Sequence, residues 1–329
     1  MTEPVVSVLI ACRDAEPWLA DALDSALGQT LTALEVILVD DGSRDGSLAI
    51  AEARRARDAR LRILRHATPR GAAAARNTAL AVARGRWIGV LDADDRMEPD
   101  RLARMVATAE AVGADWLADD QWIEAEGTDW PRARLLFAEP AGASRLTIAR
   151  FLDRDPPEAI GYGTLKPLVR HAFLRAHGIR WRPEIVRCED FLFTLDGLVA
   201  GAFAWLLNEP LYHYRLRAGS QVTSSAGAAA LDHQLEAQAV AERILDGVAS
   251  PEIRAALARR RRRLEAARRY RRAIDALRAR ALGRLLRELG REPRLLPLLA
   301  RGLGAALRAR LSGARIPTLA NRRLFHAGS

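Results

Sequence analysis

Short β-branched apolar runs alternate with segments of helical spacing through residues 1–112, and that alternation decides the fold class. Residues 5–11, 35–40 (EVILVD), 61–64 and 86–91 read as strands. Residues 18–27, 47–57, 72–83 and 99–112 read as helices, the last opened by Pro99, a residue suited to a first helical position. Strands separated by helices of this length form βαβ units around a mainly parallel sheet. The expected class is therefore α/β, a Rossmann-like sheet flanked by helices.

The rhythm is lost over residues 115–160, which contain Trp116, Trp122 and Trp130 and read as one strand followed by an irregular excursion. Helices follow at 171–177 and from Glu189. From about Ala228 the chain becomes rich in Ala, Leu and Arg with helical period, and residues 259–289 read as one long basic helix. Beyond Pro293, Leu295, Leu299, Leu303 and Leu307 recur four apart, as in an amphipathic helix. A boundary near 225 divides an α/β domain (1–225) from a basic helical extension (226–329).

The net charge of +10 belongs to that extension. From Pro251 onward there are 22 arginines and 5 acidic residues, a surplus of 17, so residues 1–250 carry −7. Lys166 is the only lysine. Cys12 and Cys188 lie far apart without metal or redox spacing, which points to a reducing cytosol. The N-terminus shows no secretory leader pattern, and no apolar run is long enough to span a bilayer. The expected location is the cytoplasm.

Two of the strands end in acid: 35–40 in Asp40 and Asp41, and 86–91 in Asp92, Asp94 and Asp95. In a parallel α/β sheet, ligands bind beyond the carboxyl ends of the strands, so both clusters meet on one edge. A divalent cation with bound phosphate accounts for such convergence, because Mg²⁺ or Mn²⁺ takes carboxylate, phosphate and water oxygens together. Taken singly, each cluster is also ordinary turn and capping chemistry: DDGS is a turn, Asp45 can cap the next helix, and Asp94 and Asp95 can cap the helix at Pro99.

The chain resembles a family 2 glycosyltransferase of the GT-A (nucleotide-diphospho-sugar transferase) fold. Four segments carry the resemblance in the family's order: VSVLIACRDAEPWLADALDSALGQT, VILVDDGSRDGS, GAAAARNTALAVARGRWIGVLDADD and EDFLFTL. The resemblance covers about residues 5–225. It implies an inverting transfer of a sugar from a nucleotide-diphosphate donor to a hydroxyl acceptor, in the synthesis of a bacterial surface polysaccharide or glycolipid. In such enzymes the first acidic strand end holds the nucleotide, and the Asp-x-Asp holds the diphosphate through a metal. Those roles fall on Asp41 with Asp40 beside it, and on Asp92 and Asp94, with Ala11, Arg13, Arg76 and Ala93 also on the donor side. The family commonly shows Pro, Ala, Tyr and Asn after the first strand, whereas Ala11, Cys12, Arg13 and Asp14 stand here. Where the family's ring packs on the base, the Arg13 guanidinium can stack instead. The identity of the base stays open, with a UDP-sugar the first expectation.

Glu189 and Asp190 occupy the first turn of a helix, a place the helix dipole favours for acids in any case. The family's base resides in this pair, so the resemblance makes Asp190 the proton acceptor, with Glu189 supporting it or binding the acceptor. The segment PLYHYRLRAGSQVTS resembles the family's diphosphate-closing stretch, which nominates His213, Arg215 and Ser220. Lys166 and Trp181 fall in a stretch resembling the acceptor side, although Trp181 also suits a core.

The arginine-rich extension has two readings: a solvated helix that packs on a partner, or an interfacial helix on an anionic membrane surface through residues 251–311. The second would place the protein peripherally on the inner face of the cytoplasmic membrane, where a lipid-linked or glycan acceptor would be met. Nucleic acid is disfavoured, because the extension carries a single Tyr270 and no binding motif. A homo-oligomer is left open. Two rival functions remain: a catalytically silent GT-A-like module recruited by its basic helices, and a phosphotransferase with Asp92 as nucleophile, which lacks the Gly-Thr its motif wants.

Overall fold

The structure, a computed structural model, describes residues 3–125, 132–136, 139, 141–157, 160–216, 228–291 and 296. The chain divides into two compact units, Met1–Phe151 with Tyr162–Leu216, and Leu152–Gly161 with Arg217–Ser329.

The first unit is built on a sheet of ten strands. In chain order these are β1 (Val6–Cys12), β2 (Leu34–Asp40), β3 (Leu61–Arg65), β4 (Trp87–Val90), β5 (Arg96–Met97), β6 (Trp116–Ala125), β7 (Ala133–Arg134), β8 (Ala143–Arg145), β9 (Leu168–Arg170) and β10 (Ala204–Leu216). The helices are α1 (Glu16–Leu27), α2 (Ser47–Arg55), α3 (Ala72–Val82), α4 (Arg101–Ala111), α5 (Ile148–Asp153), α6 (His171–His177) and α7 (Glu189–Val199). The strands lie in the order β3, β2, β1, β4, β9, β6, β10, β5, with β7 on β6 and β8 on β10. β1 runs parallel to both β2 and β4, β2 parallel to β3, and β6 parallel to β10. β9 is inserted antiparallel between β4 and β6.

β1 and β2 are buried almost throughout, which is why they read as continuous apolar runs rather than alternating ones. α3 packs on β1 and β2, while α4, against β6 and β10, sets Leu102, Met105, Val106 and Ala109 inward on one face. Residues 115–160 hold more order than expected. The expected strand is β6, ten residues long and buried even at Asp119 and Asp120, and β7, β8 and α5 lie within the stretch read as an irregular excursion. Arg101 neutralises Asp119 through two bonds of 2.8 Å, and Arg134 reaches Asp120 at 2.7 Å. A Cβ on Gly197 of α7 would fall 2.5 Å from the Trp116 ring, so only glycine lets the helix pack this closely.

The second unit contains α8 (Ala228–Leu245), α9 (Pro251–Arg278) and α10 (Leu282–Arg291). Ser250 caps α9, its hydroxyl accepting the Ile253 N–H at 3.3 Å. The single long helix expected over 259–289 is two helices. Arg280 adopts φ 53°, and the Ala281 and Arg280 N–H groups close back on Ala276 and Leu277 at 2.9 and 3.1 Å. This left-handed closure stops a helix without any Gly or Pro to announce it. Part of the basic charge is also internal: Arg260 is fully buried, donating to Asp155 at 2.6 Å and to Gln238 at 2.7 Å. The amphipathic segment at Leu295–Leu307 lies outside the described residues apart from Leu296. No described helix is long and apolar enough to cross a membrane.

Candidate active site

The register of the central strands brings the acidic ends together. Cys12 at the end of β1 pairs with Asp40 on one side, while Leu9 pairs with Val90 on the other. The chain leaving β2 at Asp41 and the chain leaving β4 at Asp92 therefore emerge on the same edge, flanking β1.

Helix α3 ties the two ends. The Arg70 and Gly71 N–H groups each donate to Asp41 at 2.8 Å, and His66 Nδ1 lies 2.6 Å from the same carboxylate. Gly71 has φ 90°, a value that favours glycine, and this turn starts the helix. Arg76, farther along α3, is buried and spreads its guanidinium over three acids. Nη2 donates to Asp92 Oδ1 at 2.7 Å, and Nη1 donates to Glu189 Oε1 and Asp190 Oδ1 at 3.0 Å each. Lys166, also buried, completes the bridge, with Nζ 2.8 Å from Asp92 Oδ2 and 2.6 Å from Asp190 Oδ2. Glu189 and Asp190 are delivered by the sharp entry into α7, where Cys188 adopts φ 64°.

The electrostatics follow from this arrangement. Burial works against ionising Asp92, but Lys166 and Arg76 outweigh it and hold the carboxyl far below its usual range. Burial likewise opposes the charge on Asp190, and Arg76 and Lys166 again win, so Asp190 is ionised at neutral pH. Glu189 goes the other way, raised by burial and by the adjacent Asp190 charge. The two neighbouring carboxyls are thus shifted in opposite directions.

Asp92, Asp94 and Asp95 form an acidic triad, each offering an oxygen within 4.8 Å of the others. Burial, with the charges of Asp94 and Asp92, raises Asp95 well above the ordinary carboxylate range. Crowded hard oxygen donors of this kind fit Mg²⁺ or Mn²⁺, whose charge would relieve the repulsion. Asp95 itself is anchored, accepting the Tyr212 hydroxyl at 2.7 Å and the Arg215 N–H at 2.8 Å, so it does not cap α4.

The other nominated residues are placed as follows. Asp40 is buried; Oδ1 accepts the Ser43 N–H at 3.2 Å, and among the described residues Oδ2 accepts no hydrogen bond. Ala11 is half-buried near the end of β1, and Arg13 is exposed beside Asp14. Ala93 is buried between Asp92 and Asp94. His213 is not with the triad: its ring is clasped between Glu124 at 2.8 Å and Glu98 at 2.7 Å. Arg215 touches the triad through its backbone, while its guanidinium turns to Asp21 at 3.4 Å. Ser220 lies outside the described residues. Asp45 does serve the helix start, accepting the Ser47 N–H at 3.0 Å. The ammonium bridge of Lys166 and the hydroxyl of Tyr212 are the features that sequence reading missed. The chain's single lysine was the available signal for the first.

The chain belongs to the Glycosyl transferase family 2, whose model matches residues 7–173. The succinoglycan biosynthesis protein ExoO of Rhizobium meliloti (strain 1021) is 32% identical over 220 residues, which cover 66% of this chain and 62% of that protein. The chain therefore spans less than two thirds of that relative's length. The fold is similar to that of S. aureus TarS 1-349 in complex with UDP, with a TM-score of 0.61, 22% identity and coverage of 77% of this chain and 70% of that one. It is also similar to the mannosyltransferase PcManGT from Pyrobaculum calidifontis in complex with GDP-Man and Mn²⁺, with a TM-score of 0.57, 21% identity and coverage of 93% and 81%. The architecture is of the GT-A type.

Proposed function

We propose that the chain is a metal-assisted, inverting glycosyltransferase. It moves a sugar from a nucleoside-diphosphate donor, a UDP-sugar in the first instance, to a hydroxyl of a glycan or lipid-linked acceptor in surface polysaccharide or glycolipid synthesis. One observation carries this reading: the Arg76 guanidinium contacts Asp92 from the acidic end of β4 and also Glu189 and Asp190 from α7, so donor-side and acceptor-side carboxylates form one site. The relatives support it, since UDP or GDP-Man with Mn²⁺ accompanies the similar structures and succinoglycan biosynthesis the similar sequence.

In this reading Asp190 accepts the proton of the acceptor hydroxyl while that oxygen bonds to the anomeric carbon. The bond from that carbon to the diphosphate oxygen breaks on the opposite face, and its electron pair leaves with the diphosphate. Glu189 holds Arg76 and, with it, the orientation of the pair. Asp40, Asp41, Ala11, Arg13 and Ala93 serve the nucleotide side. Asp92 and Asp94 would hold Mg²⁺ or Mn²⁺, whose chemistry there is to neutralise charge on the diphosphate. A silent binding module has no use for a buried carboxylate kept ionised by two cations.

Residues 226–329 would act as a basic helical extension that meets anionic lipid at the cytoplasmic membrane face. α10 exposes Leu286 beside the exposed Arg284 and Arg287, an interfacial pattern in miniature. Sedimentation with phosphatidylserine vesicles should carry down the full chain but not a truncation at residue 250.

The test of the catalytic reading is Asp190→Asn. A thermal-shift panel of sugar nucleotides with Mn²⁺ first identifies the donor. The variant should then bind that donor as before yet release no nucleoside diphosphate in the presence of acceptor. Retained transfer would overturn the assignment.

A further inference from the structure

We propose that Trp181 is a positioning residue, whose indole N–H sets the orientation of the Asp190 carboxylate while Asn77 on α3 sets Trp181. This rests on the reading of Asp190 as the base.

Trp181 Nε1 donates to Asp190 Oδ1 at 3.0 Å. The indole is held on its face, stacked on Phe193 with ring centroids 3.8 Å apart and planes 10° from parallel, and Phe193 in turn lies 5.0 Å from Trp116. Its backbone is held by a pair of bonds from α3. Asn77 Nδ2 donates to the Trp181 carbonyl at 2.8 Å, and the Trp181 N–H donates to Asn77 Oδ1 at 3.0 Å. Asn77 follows Arg76, so α3 reaches Asp190 once directly and once through this clasp.

The consequence lies in which oxygen is left for chemistry. Each carboxylate oxygen offers two lone pairs. Oδ1 accepts both Arg76 Nη1 and Trp181 Nε1, whereas Oδ2 accepts Lys166 Nζ. Among the described residues Oδ1 thus accepts two bonds and Oδ2 one, which leaves Oδ2 the oxygen with a lone pair to take the acceptor proton. Without the indole N–H only Arg76 and Lys166 hold the carboxylate, and Oδ1 gains a lone pair that can compete with Oδ2 for the proton. A tryptophan that served only as core would need its ring but not its N–H, and Phe in its place would suffice.

The experiment compares Trp181→Phe, Asn77→Ser and Asp190→Asn in the full chain. Nucleoside diphosphate release is measured from UDP-glucose, UDP-galactose, UDP-GlcNAc and GDP-mannose with Mn²⁺, with n-octyl glucoside as acceptor and with water in its absence. Trp181→Phe should lower kcat by about 10- to 100-fold with donor KM unchanged, the range typical when a supporting hydrogen bond is lost. Asn77→Ser, which keeps the indole but removes the clasp, should lose kcat in the same sense and covers the case in which Trp181→Phe fails to fold. A crystal structure of Trp181→Phe should show the Asp190 carboxylate turned from its native setting. Wild-type kcat in Trp181→Phe or an unmoved Asp190 overturns the proposal while an inactive Asp190→Asn leaves the base intact. An active Asp190→Asn overturns both.

Discussion

Asp92 and Asp190, far apart in sequence, accept hydrogen bonds from the same two cations. Arg76 serves an Oδ1 of each and Lys166 an Oδ2 of each. Neither carboxylate can move or change its charge without altering the field at the other. In the proposed function this couples donor-side to acceptor-side chemistry.

Lys166→Met should remove one half of that bridge and leave two largely buried carboxylates short of a counter-charge. Breaking a buried ion pair by deleting one partner costs about 3–5 kcal/mol. Urea unfolding of the variant measures it, and a curve superimposable on wild type would show that the bridge adds nothing. Lys166→Arg should also lose activity, because a planar fork does not replace a compact ammonium between two acceptors.

The acid limb of kcat/KM, which reports the donor-free enzyme, should lie below the ordinary Asp value of 3.8, because Arg76 and Lys166 depress Asp190 despite its burial. The same sign holds for stability. Asp92 and Asp190 have folded-state values below 3.8, so their contribution is complete above that pH and is lost as pH falls through the folded values. A rate profile with its acid limb at pH 5 or above would contradict the assignment.

Calorimetric titration of UDP should show binding that depends on Mn²⁺ and is abolished by EDTA. Asp94→Ala should bind UDP weakly and equally with and without the ion. Binding to the native chain that ignores Mn²⁺ would remove the triad from consideration as a metal site.

Arg101→Met should destabilise the first unit by about 3–5 kcal/mol, since it strands the buried Asp119. Arg101 Nη2 also donates to the Lys166 carbonyl at 2.5 Å. Activity should therefore fall even at temperatures where the variant remains folded, a split that circular dichroism and rate measurements together resolve.

The βαβ half of the fold was legible because strands buried on both faces leave continuous apolar runs, as in VSVLIAC. That Asp40–Asp41 and Asp92–Asp94 leave the sheet on one edge was legible too, since parallel strands share a carboxyl edge. A strand near Trp116 was legible, but the burial of its Asp119 and Asp120 was not, because their partners Arg101 and Arg134 come from other elements. The stop at Arg280 was hidden because a left-handed arginine carries no local signal. His213 looked like a phosphate contact by its neighbourhood, yet its surroundings are Glu98 and Glu124. Lys166 and Trp181 were nominated by the resemblance as acceptor-side residues, but their positions, before β9 and before α7, do not show that both reach Asp190.

The solitary lysine has a practical corollary. With Lys166 3% exposed, the folded chain presents no ε-amino group to solvent. Acylating reagents directed at amines should leave that side chain unmodified until the pocket opens. Mass-spectrometric labelling at this one position then becomes a built-in gauge of how often the catalytic centre breathes.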